Sequence, residues 1–161
     1  MAAPVDTPLG VEPLSDLELG AWRGLLRASA CACKQVDAEL EAKQGIALST
    51  YEVLAYVSEA DGERMRMCDL AASANLSRSG LTRLIDRLER DGLIERQRCS
   101  NDARGAWAKL TVEGRDQLVS AQAVHLDALR NAFLSNLTPA EQAMLAGLPD
   151  RIHAAESTDC C

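Results

Sequence analysis

Residues 76–92, LSRSGLTRLIDRLERDG, decide the fold of this chain. Leu81, Leu84, Ile85 and Leu88 recur at helical spacing, while Ser79, Thr82, Arg83, Asp86, Arg87 and Arg90 occupy the other side. The stretch is therefore an amphipathic helix with an arginine-rich outer face. Ser77 supplies a cap for its first turn and Gly92 a stop. Upstream, Asp69 to Ala74 reads as a short helix, joined to the longer one by the tight turn Asn75-Leu76-Ser77. Two helices so joined, the second basic and exposed in its N-terminal half, make a helix-turn-helix.

The residues that follow add a wing. Leu93 to Cys99 is a short strand, Ser100 to Gly105 is rich in turn formers, and Ala106 to Leu110 returns as a second strand. A new helix then opens behind Thr111. The loop carries Asp102 and Arg104, and the strand closes on Leu110-Thr111 with Gly114 three residues later. This pattern resembles the MarR family of winged-helix transcriptional regulators, whose signature is Asp, one residue, Arg, a strand ending in Leu-Thr, and a Gly three residues on. Ala108 departs from it, standing where the family usually has a branched apolar residue.

Outside this segment the chain is mostly helix. Ser15-Asp-Leu-Glu18 is a capping box that opens a helix to about Lys43, with Trp22, Leu25, Leu26, Ser29, Cys33, Val36 and Leu40 as its apolar stripe. So long a helix outruns one small core, which predicts that part of it meets a second subunit. Gly45 ends it. Ser49-Thr-Tyr-Glu52 reads as another capping box, starting a helix that runs to about Ala60, and Arg64 to Met67 as a short edge strand. After the wing, Thr111 to Ser135 is a long helix with Val119, Ala123, Leu126, Leu129 and Phe133 on one side. Thr138-Pro-Ala-Glu141 then caps a last helix carrying Leu145, Leu148 and Ile152.

The expected fold is thus mainly α with a small β-hairpin wing: a winged helix-turn-helix with long N- and C-terminal dimerisation helices. Residues 1–13 read as a flexible arm, 14–48 and 115–155 as a helical dimerisation region, 49–114 as the DNA-binding lobe and 156–161 as a flexible tail. Two-fold pairing would set the recognition helices about 34 Å apart, one turn of duplex, and so read a palindromic operator.

Charge supports that reading only when it is located. The chain carries 17 basic and 24 acidic residues, a net −7 that by itself argues against a nucleic-acid partner. Residues 77–115, however, hold nine basic and six acidic side chains, a net +3, which leaves −10 for the remainder. A basic face on an acidic body suits DNA binding.

Roles within that face follow from position. Ser79, Thr82 and Arg83 reach base edges, with Arg83 the candidate for bidentate contact to guanine, and Gly80 allows close backbone approach. Ser77, Arg78, Arg87 and Arg98 hold phosphates. Arg104 at the wing tip suits a narrow minor groove. The resemblance gives Asp102 the task of orienting a wing arginine. It also implies a homodimer released from DNA by a small aromatic or phenolic ligand, for which Trp22, Tyr51 and Tyr56 are the candidate pocket residues.

Cysteines and histidines leave other readings open. Cys31 and Cys33 point about 200° apart on one helix, so they neither chelate a metal together nor pair readily. Cys33 reads as a small core residue, whereas Cys31 lies where some members of the family resembled sense oxidants. Cys68 and Cys99 flank the DNA-binding lobe, and Cys160-Cys161 ends the chain. His125 and His153 are the only histidines, and no zinc-ligand spacing, phosphate loop or nucleophile elbow is present. No metal, cofactor or enzymatic activity is expected. A redox-sensing regulator using Cys31 is the alternative, and a protein-interaction module or a thiol enzyme pairing Cys31 with His125 a remote one. The N-terminal residues hold no basic start followed by an apolar run, and no stretch suits a membrane span, so a cytoplasmic location is expected.

Overall fold

Leu81, Leu84, Ile85 and Leu88 all lie inside, and the rest of the winged helix is built around them. The computed structural model describes residues 12–98 and 106–153. Helix α1 (Asp16–Gln44) and helix α2 (Leu48–Glu59) precede strand β1 (Arg64–Arg66). Helix α3 (Met67–Ser73) and the recognition helix α4 (Arg78–Arg90) follow, then strands β2 (Ile94–Arg98) and β3 (Ala106–Leu110). Helices α5 (Val112–Ala132), α6 (Pro139–Ala146) and α7 (Leu148–His153) complete the described chain. The strands form one antiparallel sheet in the order β1-β3-β2, with Arg66 opposite Trp107 and Trp107 opposite Gln97.

Two clusters share the interior. The first joins Leu54 and Val57 of α2, Leu70 of α3 and the apolar face of α4 to Ile94, Ala108 and Leu110 of the sheet. Each fully buried Leu or Ile contributes about 1.5–3 kcal/mol, enough to hold α4 rigid against the sheet. Ala108 is fully buried, and Met65 and Arg96, its neighbours across the sheet, flank its small side chain. The second cluster gathers Val36 and Leu40 of α1, Tyr51 of α2, and Ala121 and Ala128 of α5, with Leu118 touching both clusters.

Local capping signals set most helix ends. The boxes at Ser15/Glu18 and Thr138/Glu141 form as expected, with Pro139 in the first turn of α6. Ser77 caps α4 by accepting from the Gly80 amide, and Gly45 closes α1 at φ 67°. The expected box at Ser49 does not form. Helix α2 starts two residues earlier, with Ala47 at the cap position; its first turn lacks a local side-chain cap, and the Leu48 amide donates instead to Asp37 Oδ1 of α1 at 2.7 Å. The cap comes from eleven residues upstream, so Ser49 and Glu52 lie within the helix. The last helix divides at Gly147 into α6 and α7.

Burial also corrects the two long stripes. In α1 the buried residues are Ala32, Val36 and Leu40, whereas Cys33 is exposed and is not a core residue. Val36 and Leu40 pack with Ala121 and Ala128 of α5, and Ala32, one turn before Val36, lies on that same face of α1. In α5 the inward side is Gly114, Ala121 and Ala128, while Val119 is 65% exposed.

His125 of α5 stacks on Tyr51 of α2, ring centroids 4.1 Å apart and planes 23° apart. Burial lowers its pKa, because the charged imidazolium is the form that loses hydration. The unfolded chain then takes up the proton more readily than the folded one. Stability from this group is complete above the ordinary histidine pKa of about 6.5 and is lost as pH falls from there through the lower folded value. Thermal melts between pH 7.5 and pH 5 should therefore show a decline that His125→Phe, which keeps a ring but cannot titrate, reduces. An unchanged pH slope in that variant would exclude His125 as its source.

Candidate nucleic-acid interface

The outer face of α4 presents Arg78, Ser79, Thr82, Arg83, Arg87 and Arg90 to solvent, one helix side away from the core. Ser79 and Arg83 lie one turn apart and point the same way. Thr82 donates its hydroxyl to the Arg78 carbonyl at 2.8 Å, which leaves its methyl outward. Ser77 is occupied as the cap, its oxygen also 3.3 Å from Ser79 Oγ. Gly80 is not demanded by backbone torsion; a Cβ there would approach Ser77 Oγ at 3.1 Å, so glycine keeps the capping hydroxyl unobstructed. Arg87 turns back toward α2, where one of its terminal nitrogens donates to the buried Thr50 Oγ1 at 3.4 Å.

Arg96 was not among the residues singled out from sequence, and it organises this face. From β2 its guanidinium reaches Asp86 Oδ1 at 2.5 Å and donates to the Thr82 carbonyl at 3.1 Å. Its Nε lies 3.7 Å from Glu89 Oε2, near enough for charge pairing and too far for a hydrogen bond. The Arg96 backbone amide meets the other oxygen of Glu89 at 3.3 Å. One strand residue thus pins the wing to the recognition helix and offsets that helix's two outward acids. Arg78, Arg83, Arg87 and Arg90 pair with no carboxylate among the described residues.

The base of the wing is equally fixed. The Thr111 hydroxyl faces the Gly92 carbonyl at 2.7 Å and the Leu93 carbonyl at 3.0 Å, and accepts from the Gly114 amide at 2.9 Å. A Cβ on Gly114 would collide with the Leu93 carbonyl oxygen, so only glycine lets α5 start this close to β2. The Leu-Thr-x-x-Gly run is therefore the joint between wing and long helix. Asp102, Arg104 and Cys99 lie outside the described residues, as does the side chain of Arg98.

A family model described as MarR family matches residues 46–105, the segment that holds α2 through β2 and ends just before β3. The HTH-type transcriptional repressor YetL of Bacillus subtilis (strain 168) is 27% identical over 103 residues, covering 64% of this chain and 61% of YetL. The chain thus spans about three fifths of that relative. Among solved structures, AbsC, a MarR family transcriptional regulator from Streptomyces coelicolor, superposes with a TM-score of 0.78 at 33% identity, covering 89% of this chain and 98% of that one. The chain belongs to the MarR family. A second member from the same organism, Sco3205, solved in complex with DNA, has a TM-score of 0.84 at 30% identity, covering 93% and 95% of the two chains.

In this MarR family chain the other candidate residues are scattered. Trp22 borders an open apolar hollow of about 630 Å³ between α1 and the α6–α7 pair. Tyr51 is buried in the second cluster beneath His125, and Tyr56 packs at the margin of the first, so no single pocket holds the three. Cys31 is exposed on α1, its sulfur 3.2 Å from the Gln35 amide nitrogen, and Cys68 is exposed at the start of α3. Among the described residues no group of three His, Cys, Asp or Glu side chains is placed to hold a metal ion. None of the described helices is long and apolar enough to cross a membrane.

Proposed function

We propose that this MarR family regulator binds duplex DNA sequence-selectively as a homodimer, with α4 of each protomer in the major groove of a palindromic operator. The observation that carries the reading is the row of unpaired arginines on α4, held outward by a rigid core and cleared of competing acids by Arg96. Ser79, Thr82 and Arg83 read bases, while Arg78, the Ser77 end of α4, Arg98 and Arg104 hold backbone. Arg87 acts from its perch on Thr50. That Sco3205 is solved with DNA and that YetL is a repressor both support the assignment, including repression as its sense.

Dimerisation rests on a separate observation. Trp22, Leu25 and Leu26 of α1 are 56%, 40% and 48% exposed, and Met144 and Ile152 across the hollow are 59% and 55% exposed. An apolar patch of this size on one chain marks a surface that another covers. Leu25→Glu is expected to convert the dimer to monomer at micromolar concentration by sedimentation, with its helicity retained. A dimer that survives the change would place the interface elsewhere. A small aromatic or phenolic ligand that seats between dimerisation helices and DNA-binding lobe would release DNA only by favouring the incompetent arrangement.

The reading is tested by titrating the reduced protein on the DNA upstream of its own gene, against scrambled DNA, at two salt concentrations. Tight, selective and salt-sensitive binding is expected. Arg83→Ala should cost about 1–3 kcal/mol per half-site and relax the preference for guanine at one position. Equal affinity of wild type and variant for both probes would remove the assignment.

A further inference from the structure

A second cationic surface lies on the side of the sheet that faces away from the core. Ala108 and Leu110 point inward, so Trp107 and Lys109 between and beside them point out. On β1 the same alternation turns Met65 toward the core and Arg64 and Arg66 outward, opposite Lys109 and Trp107 respectively. The guanidinium carbons of Arg64 and Arg66 stand 5.1 and 5.3 Å from the centroid of the Trp107 ring. Both are within cation–π range, so one indole holds two arginines.

Neither arginine forms an ion pair among the described residues. The nearest acid in sequence, Glu63, is taken by Arg115, and Glu95 across the sheet stands opposite Lys109. These two cations also lie outside residues 77–115, in the part of the chain that is net −10 with both of them counted. Two exposed guanidiniums held side by side on a ring, unpaired within an acidic body, suit an anionic partner. Trp107 limits the rotamer freedom they would lose on binding it.

Position identifies that partner. Beyond Trp107 the next rung of the sheet is Arg98 opposite Ala106, from which the wing loop departs. Arg66 is also the residue at which β1 gives way to α3, the first helix of the helix-turn-helix. It therefore lies at the wing end of the sheet, and Arg64 sits about 7 Å behind it along the strand. We infer that Arg64 and Arg66, mounted on Trp107, bind backbone phosphates of the duplex just outside the segment read by α4. This rests on the DNA-binding role proposed above and extends the footprint by one site at each outer flank.

The test uses duplexes that wild-type protein enriches from a random-sequence pool, probed by hydroxyl-radical footprinting and by salt titration. Arg64→Gln/Arg66→Gln should lose the outermost protected sugars on both flanks while central protection stays. Each lost phosphate contact lowers the salt slope by about 0.9, so a two-fold dimer should show a slope smaller by about 2–4. Arg64→Lys/Arg66→Lys, which retains charge, should keep most of the slope. An unchanged footprint and slope in the glutamine variant, with only its melting temperature lowered, would overturn the inference and leave the cluster a sheet-stabilising contact. Failure of the wild type to enrich any sequence would overturn the DNA-binding reading itself, and this extension with it.

Discussion

Gly114→Ala is expected to lower the melting temperature by about 4–8 °C at fixed protein concentration. Two effects oppose each other at this position. Alanine in place of glycine in a helix interior normally stabilises by about 1 kcal/mol, which would raise the midpoint. Here, however, the new methyl would land on the Leu93 carbonyl oxygen and press on the Leu110 side chain, 3.0 Å away. Forcing a methyl into so tight a contact costs about 3 kcal/mol, and the carbonyl, which also accepts from the Thr111 amide at 3.3 Å, has little room to retreat. The collision wins by about 2 kcal/mol, and a chain of this length loses roughly 2–4 °C for each. Thermal unfolding followed by circular dichroism decides it by sign. A midpoint at or above that of the wild type would show that α5 does not start against β2 in this way.

The second large effect concerns binding rather than folding. Arg96→Ala should reduce operator affinity by roughly 30-fold or more, at about 1 kcal/mol for each uncompensated charge near the phosphates. The melting temperature should move little, because Asp86 and Glu89 are 47% and 44% exposed and such pairs contribute only about 0–1 kcal/mol to stability. Arg96 does not need to touch DNA for this. Without it Asp86 and Glu89 face the backbone unopposed, and the wing loses its anchor to α4. Adding Asp86→Asn and Glu89→Gln to the same protein separates these contributions. Restored affinity would assign the loss to charge; persistent loss would assign it to a displaced wing. An Arg96→Ala protein that binds like wild type would remove the role altogether.

Much of this architecture is legible from short stretches because the causes are short-ranged. Ser15, Ser77, Thr111 and Thr138 each bond an amide three residues on, so their helices begin where a local reading places them. The apolar face of α4 is legible for the same reason, since its four inward residues repeat at one period. What fails is whatever depends on a distant partner. Asp37 replaces the expected Ser49 cap from another helix. Cys33 gives way to Ala32 because the packing of α5 sets the rotation of α1, and no stripe within α1 reveals that. The pairing of β1 with β3 joins residues more than forty apart, and the arginine–tryptophan cluster exists only through it. Arg96 is different, because its signal was present. Strand alternation puts it on the same side as Ile94, facing the recognition helix, yet an arginine in a basic segment is easily taken for one more solvated charge.

The Asp37 contact has a mechanical side. Helix α1, on which the apolar hollow lies, meets the DNA-binding lobe where its carboxylate grips the first amide of α2. Two residues further on, Thr50 receives Arg87 from α4. The first turn of α2 is thus a knuckle with α1 and its apolar hollow on one side and the proposed reading head α4 on the other. In the proposed dimer two such knuckles set how far apart, and at what angle, the heads are carried, as the pivots of a pair of calipers set its span. In that proposed dimer bases would be chosen at the tips and the spacing between half-sites here, at a joint that no base approaches.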